Sequence, residues 1–157
     1  MSYKGFYKVK NHQKYRGDST KCVFRSLWER KFMKYCDSNE NVLEWSSEEV
    51  RIPYRSPIDG RFHWYFVDFW VKIKSQNGVK DYLIEIKPKK QTLKPEMGGK
   101  NKKTQLTEIK RYLINKEKWG SAKKYCEKRG WEFLILTEDH IFKKNERRHK
   151  KHKKNID

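Results

Sequence analysis

Apolar side chains recur along this chain with two different periods, and each change of period marks an element. From about Val23 to Asp37 they fall at Phe24, Leu27, Trp28, Phe32, Tyr35 and Cys36, the three-to-four spacing of one helical face. Ser19 or Thr20 is placed to cap that helix, and Asp37-Ser38-Asn39 to stop it. Strand-like runs follow at Val42–Ser46 and Glu48–Tyr54, then a Ser-Pro-Ile-Asp-Gly turn over 56–60. Two longer runs, Phe62–Lys74 and Val79–Pro88, are joined across Gln76-Asn77-Gly78. Helical spacing returns from about Thr104 to Asn115 and again from Lys118 to Lys128, where Gly130 suits the position just past a helix end. Trp131–Leu136 is a nearly continuous apolar run and predicts a buried strand. A helix, several strands, two helices and a last strand predict an α/β sandwich around a small mixed sheet.

The two longer runs carry the chemistry. Asn-Gly between alternating runs predicts a hairpin, because a type I′ turn needs positive φ at both central residues. With Asn77 and Gly78 as the turn, Gln76 faces Val79, so Asp68 lies opposite Lys87 and diagonal to Glu85. Alternation then puts Asp68, Glu85 and Lys87 on one face of the sheet and Ile84 and Ile86 on the other, predicting a polar side and a core side. Diagonal cross-strand neighbours lie roughly 7–8 Å apart. Two carboxylates at that separation can converge on one hard cation such as Mg²⁺, with a lysine beside them to orient water or stabilise a developing anion. The same residue types also occur on any half-exposed strand. What favours a site is that Asp68 lies within Tyr65-Phe66-Val67-Asp68-Phe69-Trp70, where an idle carboxylate is costly to bury.

Charge identifies the partner. The 157 residues include 39 Lys plus Arg against 20 Asp plus Glu, a net charge of +19. A small soluble domain usually carries about 2–8, so the excess points to a polyanion, and to nucleic acid before a membrane, since no long apolar segment is present. Residues 1–20 form a basic, aromatic segment that either lies along a phosphate backbone as an arm or wraps the domain. Residues 21–142 form the domain, and 143–157 are a basic tail expected to be disordered. The Lys-rich stretch 89–103 leaves directly from the Glu85/Lys87 strand and is irregular, as functional or disordered loops are. Lys14, Arg16, Lys21, Arg25, Lys89, Lys90, Lys102 and Lys103 are the candidate phosphate contacts. Cys22, Cys36 and Cys126 share no metal-ligand spacing and read as reduced thiols of a cytosolic protein with no signal peptide.

A helix bearing Glu29, a strand bearing Asp68 and a following Glu85-Ile86-Lys87 resemble the PD-(D/E)xK, or restriction-endonuclease-like, nucleases. Tyr15-Arg16-Gly17-Asp18, Arg25-Ser26-Leu27-Trp28-Glu29, Ile52-Pro53-Tyr54, Glu85-Ile86-Lys87-Pro88-Lys89 and Glu127-Lys128-Arg129-Gly130 together resemble the head completion nucleases of T-even-like tailed phages. The chain is also similar to the endonuclease subunits of heteromeric bacterial transposons. The resemblance implies Mg²⁺-dependent DNA hydrolysis, with Mn²⁺ able to substitute. It implies metal binding by Asp68, Glu85 and the Ile86 carbonyl, a catalytic Lys87, and Glu29 as a helical acid completing the site. Val67 stands where the motif's name has proline. Lys87, beside two carboxylates, is assigned to electrostatic stabilisation and water positioning. Further implied are double-stranded DNA bound with little regard to sequence, phage portal or neck proteins as partners, and a place at the head–tail vertex of the virion after assembly in the host cytoplasm. Two other readings stand beside this one: a non-catalytic plug or adaptor that binds the DNA end at the capsid vertex, and a junction or repair nuclease of the same fold.

Overall fold

The computed structural model describes residues 3–142, so the tail expected over 143–157 lies outside the described residues. Its elements are strands β1 (Gly5–Phe6) and β2 (Val23–Phe24), helix α1 (Leu27–Ser38), and strands β3 (Val42–Ser47), β4 (Arg51–Arg55), β5 (Phe62–Phe66), β6 (Phe69–Ser75) and β7 (Gly78–Ile86). Helices α2 (Lys89–Thr92) and α3 (Lys102–Glu127), strand β8 (Glu132–Leu136) and helix α4 (Glu138–Ile141) complete them.

Strands β3, β6, β7 and β8 form a four-stranded sheet in that order, antiparallel except for the parallel pair β7–β8. This is the small mixed sheet expected from the sequence. The run Phe62–Lys74 is one path bent at Val67-Asp68. Before the bend β5 pairs with β4, and after it β6 pairs with β3 and β7. At the bend the Val67 amide donates to the Val50 carbonyl at 3.0 Å and the Glu48 amide to the Asp68 carbonyl at 3.1 Å. Glu48 there adopts φ 54°, the kind of irregularity that bends a strand and re-aims its side chains. Asp68 therefore sits at a corner and not within a flat strand.

The Asn-Gly hairpin forms, but its turn differs from the expected one. Ser75 pairs with Gly78 and Phe69 with Ile84, so Gln76 and Asn77 are the central residues. Positive φ is confined to Gly78, at 110°, a glycine that follows the turn in place of two left-handed central residues. The register is displaced by two residues and puts Asp68 at the end of the ladder facing Glu85, not Lys87. Because side chains alternate with period two, an even displacement leaves all three on the predicted face.

Both faces of the sheet are covered, which corrects the expectation of one polar side. On one face Ile84, Ile86, Phe69 and Val71 pack with Phe32, Met33 and Cys36 of α1. On the other, Leu83 packs with Trp119, Ala122 and Cys126 of α3 and with Ile52, Tyr54 and Tyr65 of the β4–β5 ribbon. Helix α1 starts at Leu27 because Ser26 caps it, its Oγ accepting from the Glu29 amide at 3.2 Å. The proposed caps Ser19 and Thr20 belong instead to a separate turn, and Val23-Phe24 pairs with Gly5-Phe6.

The two helices expected between 104 and 128 are one continuous helix, α3. Its apolar stripe changes face: Leu106, Ile109 and Leu113 are exposed, whereas Asn115, Trp119, Ala122 and Cys126 are buried. Gly130, at φ 68°, ends it as expected, with the Trp131 amide reaching the Cys126 carbonyl at 2.9 Å and the Gly130 amide the Glu127 carbonyl at 3.3 Å. Strand β8 is at the sheet edge and only half-buried.

Residues 3–20 wrap the domain and do not stand off from it as an arm. Tyr7, Val9 and Tyr15 are core residues. Buried Asp37 holds the segment down: its carboxylate accepts from the Tyr7 hydroxyl and the Lys10 amide at 2.8 Å and from the Asn11 amide at 2.9 Å.

Candidate active site

The bend at Asp68, the C-terminal end of β7 and the first turn of α1 converge on one cluster of charges. The Ile86 amide donates to Asp68 Oδ2 at 2.8 Å, which secures the corner to β7 beyond the last paired residues. In an extended strand the N–H and C=O of one residue point to the same side, so the Ile86 carbonyl faces the same edge of β7 as its amide. Glu85 is 6% exposed, and its Oε2 accepts from the Tyr65 hydroxyl at 2.5 Å. Its Oε1 lies 3.8 Å from Lys87 Nζ. Glu29, in the first turn of α1, accepts the Arg25 amide through Oε2 at 3.0 Å. Each of the three carboxylates thus has one oxygen held by a protein donor, and the second oxygen of Glu85 faces the Lys87 ammonium.

The electrostatics single out the same group. Burial, then the Glu85 charge, then that of Glu29 push the Asp68 carboxyl well above the usual carboxylate range; the Ile86 amide and Lys87 oppose them. Burial also pushes Glu85 up, against the Tyr65 hydroxyl, Lys87 and Lys118. Burial raises Glu29, reinforced by Glu48 and Glu85 and opposed by the Arg25 amide and guanidinium. Lys87 and Lys118 offset these carboxylate charges only in part, since the shifts remain upward. Hard oxygen donors in such a setting suit a divalent cation such as Mg²⁺. Among the described residues no three His, Cys, Asp or Glu side chains come together as a preformed metal cluster. The structure brings Asp68 together with Glu85, and Glu29 acts on both through its charge.

Two neighbours had no distinguishing mark in the sequence. Tyr65, 3% exposed, reaches Glu85 from the ribbon. Lys118 of α3 is half-buried with its Nζ 5.5 Å from the Tyr65 ring centre and 5.6 Å from that of Tyr54. Burial and Lys87 lower its pKa, while Glu85 and Asp68 raise it. The only sequence signal for Lys118 was its place on the buried stripe, three residues after Asn115 and four before Ala122.

The candidate phosphate contacts separate into several groups. Lys14 does not face solvent ligands: its Nζ donates to the carbonyls of Cys36 and Asn39 at 2.8 Å and of Asp37 at 3.3 Å, completing the C-terminal end of α1. That geometry removes it from the DNA-contact set. Arg16 pairs with Glu44, and Arg25 with Glu48 at 2.9 Å. The Arg25 amide's bond to Glu29 makes its segment part of the site's frame. Lys21 is exposed and only loosely paired with Asp18, at 3.9 Å. Lys89 lies 3.2 Å from Asp139. Lys90, Lys102 and Lys103 are exposed, the last two opening α3. The three cysteines are buried free thiols. Among the described residues no helix is long and apolar enough to cross a membrane.

Comparison with known proteins bears on this geometry. Residues 39–138 match the family described as TnsA-like endonuclease N terminal, a stretch that holds Asp68, Glu85, Lys87 and Lys118 but not Glu29. A protein named head completion nuclease, from Enterobacteria phage T4, is 41% identical over 143 residues, spanning 88% of this chain and 93% of its own length.

Proposed function

The chain belongs to the TnsA-like endonuclease family, with a restriction-endonuclease-like fold, and from that premise we propose that it is a divalent-metal-dependent DNA endonuclease of phage head completion. The observation that carries the reading is the pairing of half-buried Asp68 with buried Glu85, in which each carboxylate accepts a hydrogen bond from the protein and desolvation opposes its charge. Asp68, Glu85 and the Ile86 carbonyl are the groups that would hold the cation, with Glu29 behind them. When bound, Mg²⁺ or Mn²⁺ supplies charge neutralisation at the scissile phosphate and acidifies a water.

The protein's own groups account for the rest. Tyr65 keeps Glu85 ionised and oriented by donating to Oε2. Lys87, tethered near Glu85 Oε1, presents its ammonium to the nonbridging phosphate oxygens and to the attacking water, where charge develops. Lys118 adds a second, partly desolvated positive charge on the α3 side. Arg25 and Ser26 hold the α1 N-terminus so that Glu29 faces the pair. The excess of basic residues binds the DNA backbone with little regard to sequence. In this reading the enzyme acts on packaged DNA at the portal vertex, in the host cytoplasm and then in the virion.

The experiment is cleavage of linear and circular DNA by the purified protein with Mg²⁺ or Mn²⁺, alongside Asp68→Ala and Glu85→Ala. Cleavage by the wild type, lost in both variants with binding retained, supports the reading. A wild type that binds DNA but cleaves nothing with either metal would favour a non-catalytic DNA-end adaptor.

A further inference from the structure

The β4–β5 ribbon has two unlike faces. Ile52, Tyr54 and Tyr65 point inward and are buried against α3 and the active site. The outward face carries Phe62, Trp64 and Phe66, which are 74%, 52% and 53% exposed. Their cross-strand partners are Arg55, Pro53 and Arg51, all exposed, and directly opposed residues share a face. The Arg51 guanidinium lies 4.4 Å from the Trp64 ring centre. Three large aromatics held in water on one short strand add nothing to the core, and contiguous apolar surface of this kind marks an interaction site.

We propose that this outward face binds unpaired nucleotides of a DNA substrate continuous with the duplex at the Asp68–Glu85 site. The inference rests on the nuclease reading and narrows its substrate to DNA with a single-stranded or branched segment beside the cut.

Two features select this occupant. Aromatic rings stack on bases of any sequence while arginines meet the phosphates between them, and here each outer ring, Phe62 and Phe66, has an arginine as its cross-strand partner. Paired bases in a duplex present no open faces to such rings, whereas splayed bases do. The position is also suitable, because the strand that carries the rings runs directly into the site. Phe66 precedes Asp68 by two residues, at most about 7 Å of chain, and Phe62 by six, at most about 20 Å. Nucleotides stacked along the ribbon would lead into the catalytic corner. Arg51 over Trp64 holds that ring ready for stacking.

The test measures equilibrium binding of the full chain, without divalent metal, to a labelled blunt duplex and to the same duplex carrying a single-stranded overhang. Wild-type protein should prefer the overhang. Trp64→Ala and Phe66→Ala should each weaken overhang binding about 5- to 150-fold, the worth of one stacked base, and bring the overhang-to-blunt ratio toward one. Trp64→Tyr, which retains a stacking ring, should preserve much of the preference. A wild-type ratio of one, or equal losses on both substrates, would overturn the proposal. So would variants that change self-association in sedimentation while leaving the ratio intact, because the face would then belong to a second copy. Since binding is read without metal, an overhang preference in a protein that cleaves nothing with Mg²⁺ or Mn²⁺ would uphold the platform and defeat the nuclease reading. Cleavage with no such preference would do the reverse.

Discussion

Replacing Tyr65 with phenylalanine tests the link between fold and catalysis at a single atom. The hydroxyl donates to Glu85 Oε2 at 2.5 Å, and both residues are buried, so solvent does not screen the interaction. A hydrogen bond to a charged group contributes about 1.5–3 kcal/mol. In a protein of this length each kcal/mol corresponds to about 2–4 °C, so Tyr65→Phe should melt about 3–12 °C lower near neutral pH. The same bond lowers the Glu85 pKa, and losing it must raise that pKa further. The sign follows from proton binding. Where a native carboxyl holds its proton more tightly than the unfolded chain does, stability falls as pH rises from the ordinary carboxylate range through the native value. In the variant that fall should extend to higher pH. Catalysis needs ionised Glu85, so the acid limb of the pH–rate profile should move upward, with activity partly recovered in alkaline buffer. Thermal denaturation across pH and single-turnover cleavage across pH measure the two effects. An unchanged melting temperature together with an unmoved acid limb would refute the argument that Tyr65 sustains the Glu85 charge.

Asp68→Asn should abolish cleavage yet stabilise the metal-free protein at neutral pH, because it removes the charge that burial and Glu85 oppose. A melting curve flatter with pH than that of the wild type is the readout. Lys118→Met keeps the packing against Tyr54 and Tyr65 but deletes a charge facing Glu85 and Asp68; single-turnover rates should fall by about 10²-fold, as for other preorganised charge-stabilising groups. Asp37→Ala leaves a buried hydroxyl and two amides without their acceptor, which should cost about 3–5 kcal/mol, read by circular dichroism as loss of the wrapped N-terminal segment before or with the domain. DNA affinity should fall steeply with salt, with a log–log slope of about −0.9 per phosphate contact; Lys90→Ala, Lys102→Ala and Lys103→Ala should each reduce the slope by about one.

The face that Asp68, Glu85 and Lys87 share is legible in the sequence because it depends only on parity. Asp68, Glu85 and Lys87 share a face for any even register, so placing the turn two residues away still collected the same three side chains. The run Trp131–Leu136 and the stop at Gly130 were legible for a similarly local reason: short apolar runs and left-handed glycines carry their signal within a few residues. The large excess of basic over acidic residues is a property of composition, and with it goes the case for a polyanionic partner.

Tertiary structure decided whatever depended on which surface meets which. The apparent break between two helices in 104–128 was a change of buried face within one helix, set by where α3 passes over the sheet. Lys14 has the same local signature as any solvated lysine, and only the approach of its segment to the end of α1 turns it inward. Lys118 and Tyr65 join the site because α3 and the β4–β5 ribbon close over Glu85, contacts between residues far apart in the chain. The corner at Asp68 meets the left-handed Glu48 in the connection between β3 and β4, whose amide donates to the Asp68 carbonyl. Sequence periodicity reports the face a residue takes on its own element. The partner across the gap is set by packing, which has no local period to read.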